Sequence, residues 1–128
     1  MPAISFKYDY VKDQWEGADN QLSEIIRNVI RILALKFGGL TLTSLVRHRL
    51  HNLQVGGKDN SLHVPENCPD NLARAADFVL HDINMDLQIE QYCKDHFENV
   101  DLVLHDVGSG LHFHIEADPK KGKFVHLK

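Results

Sequence analysis

The sequence predicts an α+β domain in which a small antiparallel sheet packs against two or more helices. Three observations carry that expectation. Apolar residues recur at three- and four-residue steps from Leu22 to Phe37, the period of a helix with one buried face. Short alternating or β-branched runs stand at 40–46, 75–80, 100–104 and 111–117, bounded by turn residues. Their order is helix, strand, long loop, strand, helix and hairpin, which is an α+β order.

Taken in order, residues 1–18 mix aromatics and charges without a clean period and read as a short strand plus an arm. Asp19 or Asn20 offers an N-cap for the first helix, since a side-chain oxygen there accepts an orphan N–H. Leu22, Ile25, Ile26, Val29, Ile30, Leu33 and Phe37 form its apolar face, with Glu24, Arg27, Asn28 and Arg31 on the other. Gly38-Gly39 ends it in the left-handed conformation glycine tolerates. Leu40–Val46 is a strand, and 47–62 is mostly loop with a turn of helix. The Pro- and Asn-rich 64–71 is a loop. Ala75–Leu80 is a strand, and Asn84 caps a second helix facing inward through Met85, Ile89, Tyr92, Cys93 and His96. Val100–Leu104 and Leu111–Ala117 form a hairpin around the turn 107–110, and 124–127 reads as a last edge strand.

At 128 residues the chain, 1–128, is one domain with one core. Apolar residues at 43% and charged residues at 25% are those of an ordinary globular protein, and no stretch reads as a membrane span. The N-terminus lacks the basic-then-apolar pattern of a secretory signal, so the expectation is cytoplasmic synthesis. A net charge of -4 argues against a protein built to coat nucleic acid. Two cysteines, Cys68 and Cys93, make no disulfide framework and read as free thiols.

Nine histidines direct attention to spacing. His112 and His114 alternate in a strand, so both imidazoles project from one face. That pattern suits a metal ligand beside a catalytic neighbour, and equally the solvated face of an edge strand. His63 stands in a loop after Gly56-Gly57, where a histidine is either a ligand or simply exposed. Asp77 interrupts the apolar run AADFVL. An acid there needs partners, whether backbone N–H groups, Arg74 or a metal. Two histidines and an aspartate would make a three-ligand site with a fourth position open, the arrangement of catalytic zinc.

An ordered set of motifs resembles a known family. It runs Thr43-Ser44-Leu45-Val46-Arg47, Asn52, Val55-Gly56-Gly57, Ser61-Leu62-His63, Ala73-Arg74-Ala75-Ala76-Asp77-Phe78, and finally the HxH of 112–114. This is similar to the D-Ala-D-Ala carboxypeptidase and L-alanyl-D-glutamate endopeptidase family of zinc peptidases, with the hedgehog/DD-peptidase fold, over about residues 20–117. The resemblance implies that His63, Asp77 and His114 bind Zn2+. It implies that Arg47 contacts a substrate carboxylate or stabilises the oxyanion, and that Ser61 supports the site. The implied substrate is a peptidoglycan stem peptide, cut at an amide bond.

Three departures mark this chain. Asp77 follows His63 by fourteen residues where the family pattern has seven, as though 64–70 were inserted, which is tolerable if the insertion loops outward; Asp70 stands at seven, without the AxDF context. TSGYR has become TSLVR, and the glycine before AxD is Ala73. The family's acidic base position, three before the last ligand, is Leu111. The remaining base candidates are His112, the first choice, and Asp106 at the end of the preceding strand. The expectation is a small zinc peptidase acting on the cell wall, for which a phage-type lytic enzyme is the model, with no nucleic-acid or membrane partner. The rivals are a phage virion or tail protein that keeps the fold with little or no turnover, and a non-catalytic metal-binding regulator.

Overall fold

A computed structural model describes residues 3–17, 21–58, 60–68, 71–106 and 111–117, with His105 and Asp106 described by backbone alone. The elements are β1 (Ile4–Phe6), α1 (Asp9–Trp15), α2 (Glu24–Lys36), β2 (Leu40–Ser44), α3 (Arg49–Gln54), β3 (Ala75–Leu80), α4 (Asp86–His96), β4 (Val100–Asp106) and β5 (Leu111–Ala117). The strands form one five-stranded sheet in the order β1-β2-β3-β5-β4. The α+β class is therefore observed, but the sheet is mixed. β1 pairs parallel with β2, and the other neighbours are antiparallel. The exception comes from connectivity: α1 and α2 lie between β1 and β2, and such a crossover returns the chain in the same direction.

The long helix forms where the apolar period predicts, but its start differs. Ser23 is the N-cap, its Oγ accepting from Ile25 N at 3.2 Å. Asp19 and Asn20 lie outside the described residues. Residues 21–23 are held extended by Ala73, through Ser23 N to Ala73 O at 2.9 Å and Ala73 N to Gln21 O at 2.7 Å, so the helix can begin only after them. Arg27, expected on the solvent side, is buried instead. Its guanidinium lies over the Trp15 ring and bonds the Trp15 carbonyl. Gly38 and Gly39, at φ 78° and 106°, end the helix as expected.

The second helix also starts differently. Asp82, not Asn84, provides the cap, accepting from Asn84 N at 3.0 Å to open a short 3-10 turn at Ile83–Met85 that runs into α4. β3 and β5 match their expected bounds, β2 ends at Ser44, and β4 extends to Asp106. The turn 107–110 and the strand expected at 124–127 lie outside the described residues. The loop 64–68 packs inward. It makes a 3-10 turn at Pro65–Asn67 and buries Val64, Pro65 and Cys68. Both cysteines are free and buried.

One sheet face packs on α2 and α4 through Leu40, Leu42, Phe78, Leu80, Phe113 and Ile115, and this is the core. The opposite face carries the polar residues. Asp77 pairs with His114, and Asp101 with Glu116, so these side chains share that face by the two-residue period of a strand. No helix among the described residues is long and apolar enough to cross a membrane.

Candidate metal centre

Asp77 is the hub of the polar face. It occupies the middle of β3, and β2 bulges beside it. Leu42 pairs with Phe78 and Ser44 with Asp77, so an extra residue is accommodated at Thr43. A bulge bends its strand and re-aims the residues after it. Here those residues are 45–47, which cross the polar face. Gln14 of α1 clamps that segment like a neighbouring strand, its amide bonding Val46 O at 3.1 Å and Val46 N at 3.0 Å. Arg47 N then donates to His63 O at 2.8 Å, which lays 61–64 alongside.

Three of the expected residues converge. His63, Asp77 and His114 each offer a ligand atom, and these atoms lie within 4.8 Å of one another. His63 Nε2 is 3.1 Å from Asp77 Oδ1, and His114 Nδ1 is 2.8 Å from the same oxygen. His63, a loop histidine in sequence, is 1% exposed, and Asp77 is 4% exposed. His112 lies on the same face at 8% exposure, with Nε2 3.8 Å from Asp77 Oδ2. Arg47 also joins the group: Nη2 donates to Asp77 Oδ2 at 3.1 Å, Nε to Ser44 Oγ at 3.1 Å and Nη1 to Asn52 Oδ1 at 3.4 Å. Ser61 acts on the backbone, its Oγ accepting from His63 N at 3.2 Å.

Other expectations find different places. Asp106 closes β4 opposite Leu111, and its side chain, like the whole of Asp70, lies outside the described residues. Arg74 does not partner Asp77 in the ion pairs around it. Cys68 Sγ faces the carbonyls of Leu62 and Val64, at 3.7 and 3.8 Å.

Two groups not singled out from sequence complete the surroundings. Glu116 Oε1 accepts from His114 Nε2 at 2.8 Å. The signal was present, because His114 and Glu116 are two apart in a strand and share a face. The Leu45 carbonyl accepts from His63 Nδ1 at 2.6 Å. No side-chain pattern announces a backbone acceptor.

The electrostatics arise from burial and these contacts. Burial pushes the pKa of His63 down, against the pull of Asp77. Burial alone would raise Asp77, but the facing His63 and the hydrogen bonds from His114 and His63 outweigh it, and the carboxyl is held well below its usual range. Burial alone would lower His114, but its bonds to Asp77 and Glu116, with their charges, lift it to about 9. His63 stands between two acceptors, Leu45 O on Nδ1 at 2.6 Å and Asp77 Oδ1 on Nε2 at 3.1 Å. With a proton on Nδ1 alone, Nε2 and Asp77 Oδ1 would both be acceptors in a buried site, and a cation there would satisfy both.

The donor set fits zinc. It has two imidazole nitrogens and one carboxylate oxygen, each backed by an outer partner: Leu45 O behind His63, Glu116 behind His114 and Arg47 behind Asp77. Neither a family model, nor a curated protein, nor a solved structure matches this chain.

Proposed function

We propose that this chain is a zinc-dependent peptidase that hydrolyses amide bonds of peptidoglycan stem peptides, of the D-Ala-D-Ala carboxypeptidase and L-alanyl-D-glutamate endopeptidase type. The observation that carries the reading is the convergence of His63 Nε2 and His114 Nδ1 on Asp77 Oδ1 in a buried site, with the three ligand atoms within 4.8 Å of one another. The ordered motifs around these residues supply the substrate class. Zinc held there would polarise a carbonyl and acidify water.

The chain's own groups divide the remaining work. His112 stands beside the cluster on the same face and takes the proton of the attacking water. Arg47 holds Asp77 Oδ2 and keeps a permanent positive charge beside the carbonyl oxygen as it becomes an oxyanion. Glu116 fixes the tautomer of His114 so that Nδ1 faces the cluster. Ser61 sets the backbone that presents His63.

One observation favours a second reading, a binding or virion protein with this site and no turnover. All three nitrogens of the Arg47 guanidinium are directed at protein acceptors, Ser44, Asn52 and Asp77. The test is metal content by elemental analysis for the wild type, His63→Ala and His114→Ala, followed by digestion of purified peptidoglycan. About one zinc per chain, lost in both variants, with release of new amino termini, supports the peptidase. Zinc retained without cleavage supports the binding protein. Unchanged zinc in both variants refutes the site.

A further inference from the structure

Asn52 is not one of the candidate ligands and meets the cluster through Arg47. It is 3% exposed on a helix whose neighbouring side chains are largely solvent-facing. Its Nδ2 donates to Lys58 O at 2.8 Å, and its Oδ1 accepts from Arg47 Nη1 at 3.4 Å. The amide is packed against Gly57 so closely that a Cβ there would lie 2.0 Å from Asn52 Oδ1 and 2.7 Å from its Cγ. The need for glycine at 57 is therefore steric. It differs from the need at Gly56, where φ is 74° and a Cβ would meet nothing within 4 Å. Gly57 N also donates to Asn52 O at 2.8 Å, which holds the turn against the amide it must clear.

From Asn52 the contacts run inward. Arg47 Nη1 is on Asn52, and Arg47 Nη2 is on Asp77 Oδ2 at 3.1 Å, while Asp77 Oδ1 is the oxygen shared by His63 and His114. The two carboxylate oxygens are thus assigned different tasks by where the guanidinium points.

We propose that Asn52, admitted to its place by the missing side chain of Gly57, is a positioning residue that aims Arg47 and so reserves Asp77 Oδ1 for the metal while Oδ2 stays with the guanidinium. This rests on the zinc reading above. It adds that the turn 55–58 governs metal affinity from behind the ligands. An outer partner of a ligand is worth about 10- to 100-fold in metal affinity. Asn52 acts at one further remove, so a loss of about tenfold is expected.

The test is a double-mutant cycle on the full chain with Asn52→Ala, Gly57→Ala and the double variant, read two ways. Zinc affinity is measured by chelator competition. In the metal-free chain, solvent exchange of the Arg47 Nε–H is measured by NMR, with thermal unfolding as the control for folding. Each single variant should weaken zinc about tenfold and speed Arg47 exchange. Gly57→Ala should add nothing in the Asn52→Ala background, because the group its methyl collides with is gone. Additive losses would overturn the proposal, as would zinc affinity and Arg47 exchange unchanged in folded single variants. An Asn52 that serves only to hold Lys58 would lower thermal stability and leave both readouts still. If the wild type binds no zinc, the metal reading fails by itself. The Arg47 exchange cycle then still decides whether Asn52 and Gly57 aim the guanidinium.

Discussion

In the metal-free state the chain should be most stable near pH 6.5 and weaken on either side, because two histidines are displaced in opposite directions. His114 is raised to about 9 in the folded chain, against about 6.5 unfolded. The folded state holds that proton more tightly. The resulting stability is complete below about pH 6.5 and is lost as pH climbs through about 9. At about 1.4 kcal/mol per unit, the alkaline limb amounts to about 3 kcal/mol. The side chain is 18% exposed, so solvent screening removes little of this. His63 works the other way. Its pKa is lowered by burial, so below about pH 6.5 the unfolded chain takes up a proton that the folded chain resists, and stability falls with pH. Asp77, held low, adds a further loss once pH drops below the unfolded carboxyl value of about 4. The assay is urea unfolding of the chelator-treated protein between about pH 5 and 9.5, with His114→Ala alongside. Saturating zinc should turn the alkaline limb upward, since a coordinating nitrogen surrenders its proton and the metal gains as protons leave. A flat wild-type profile between about pH 6.5 and 9, or an alkaline limb undiminished in His114→Ala, would refute the reasoning.

Two further outcomes are expected. Glu116→Gln should weaken zinc by about 10-fold or more while leaving the fold intact, because it removes the charge behind His114 Nε2; chelator competition measures it, and affinity within twofold of wild type would contradict the role. Phe78→Ala should cost about 3–5 kcal/mol in urea unfolding, since the ring is fully buried and stacked on Phe113 at 5.5 Å. The folded fraction should still bind zinc in full stoichiometry, because Phe78 points to the face opposite Asp77.

What could be read from sequence divides along physical lines. β3, β5 and most of α2 were legible because their burial pattern is written in their own residues. Alternation marks the strands, and three- and four-residue steps closed by Gly38-Gly39 mark the helix. α1 was not legible. It is short, with exposed Tyr8 at its N-cap and Tyr10 in its first turn, and its ties to the body are distant in sequence: Val11 in the core, the Gln14 clamp on Val46 32 residues away, and Arg27 against Trp15. Nor was the parallel pairing of β1, a strand of three residues whose direction is set by the two helices after it. The ligand candidates His63, Asp77 and His114 are picked out by motif order, and the structure brings them together. Position in sequence alone could not say that His63 is buried. That comes from Leu45 O and from the inward packing of 64–68.

The division of the sheet into two faces explains how an aspartate survives in the strand AADFVL. Its neighbours Ala76 and Phe78 point into the core, and Asp77 points away from it. The segments 45–47 and 61–64 flank Asp77, tied to each other by the bonds of Arg47 N to His63 O and His63 Nδ1 to Leu45 O, and they bury Leu45, Val46 and Val64. In the cluster beneath them the carboxylates of Asp77 and Glu116 face two cations, Arg47 and His114 in its protonated form. Exchanging the proton of His114 for one divalent cation would leave the same group one positive charge in excess. A buried site with one uncompensated positive charge favours an anion, and the group that becomes anionic when an amide is attacked is its carbonyl oxygen. The proton on His114 and a divalent cation in its place would therefore set two electrostatic states of one cluster, and only the second would favour an oxyanion.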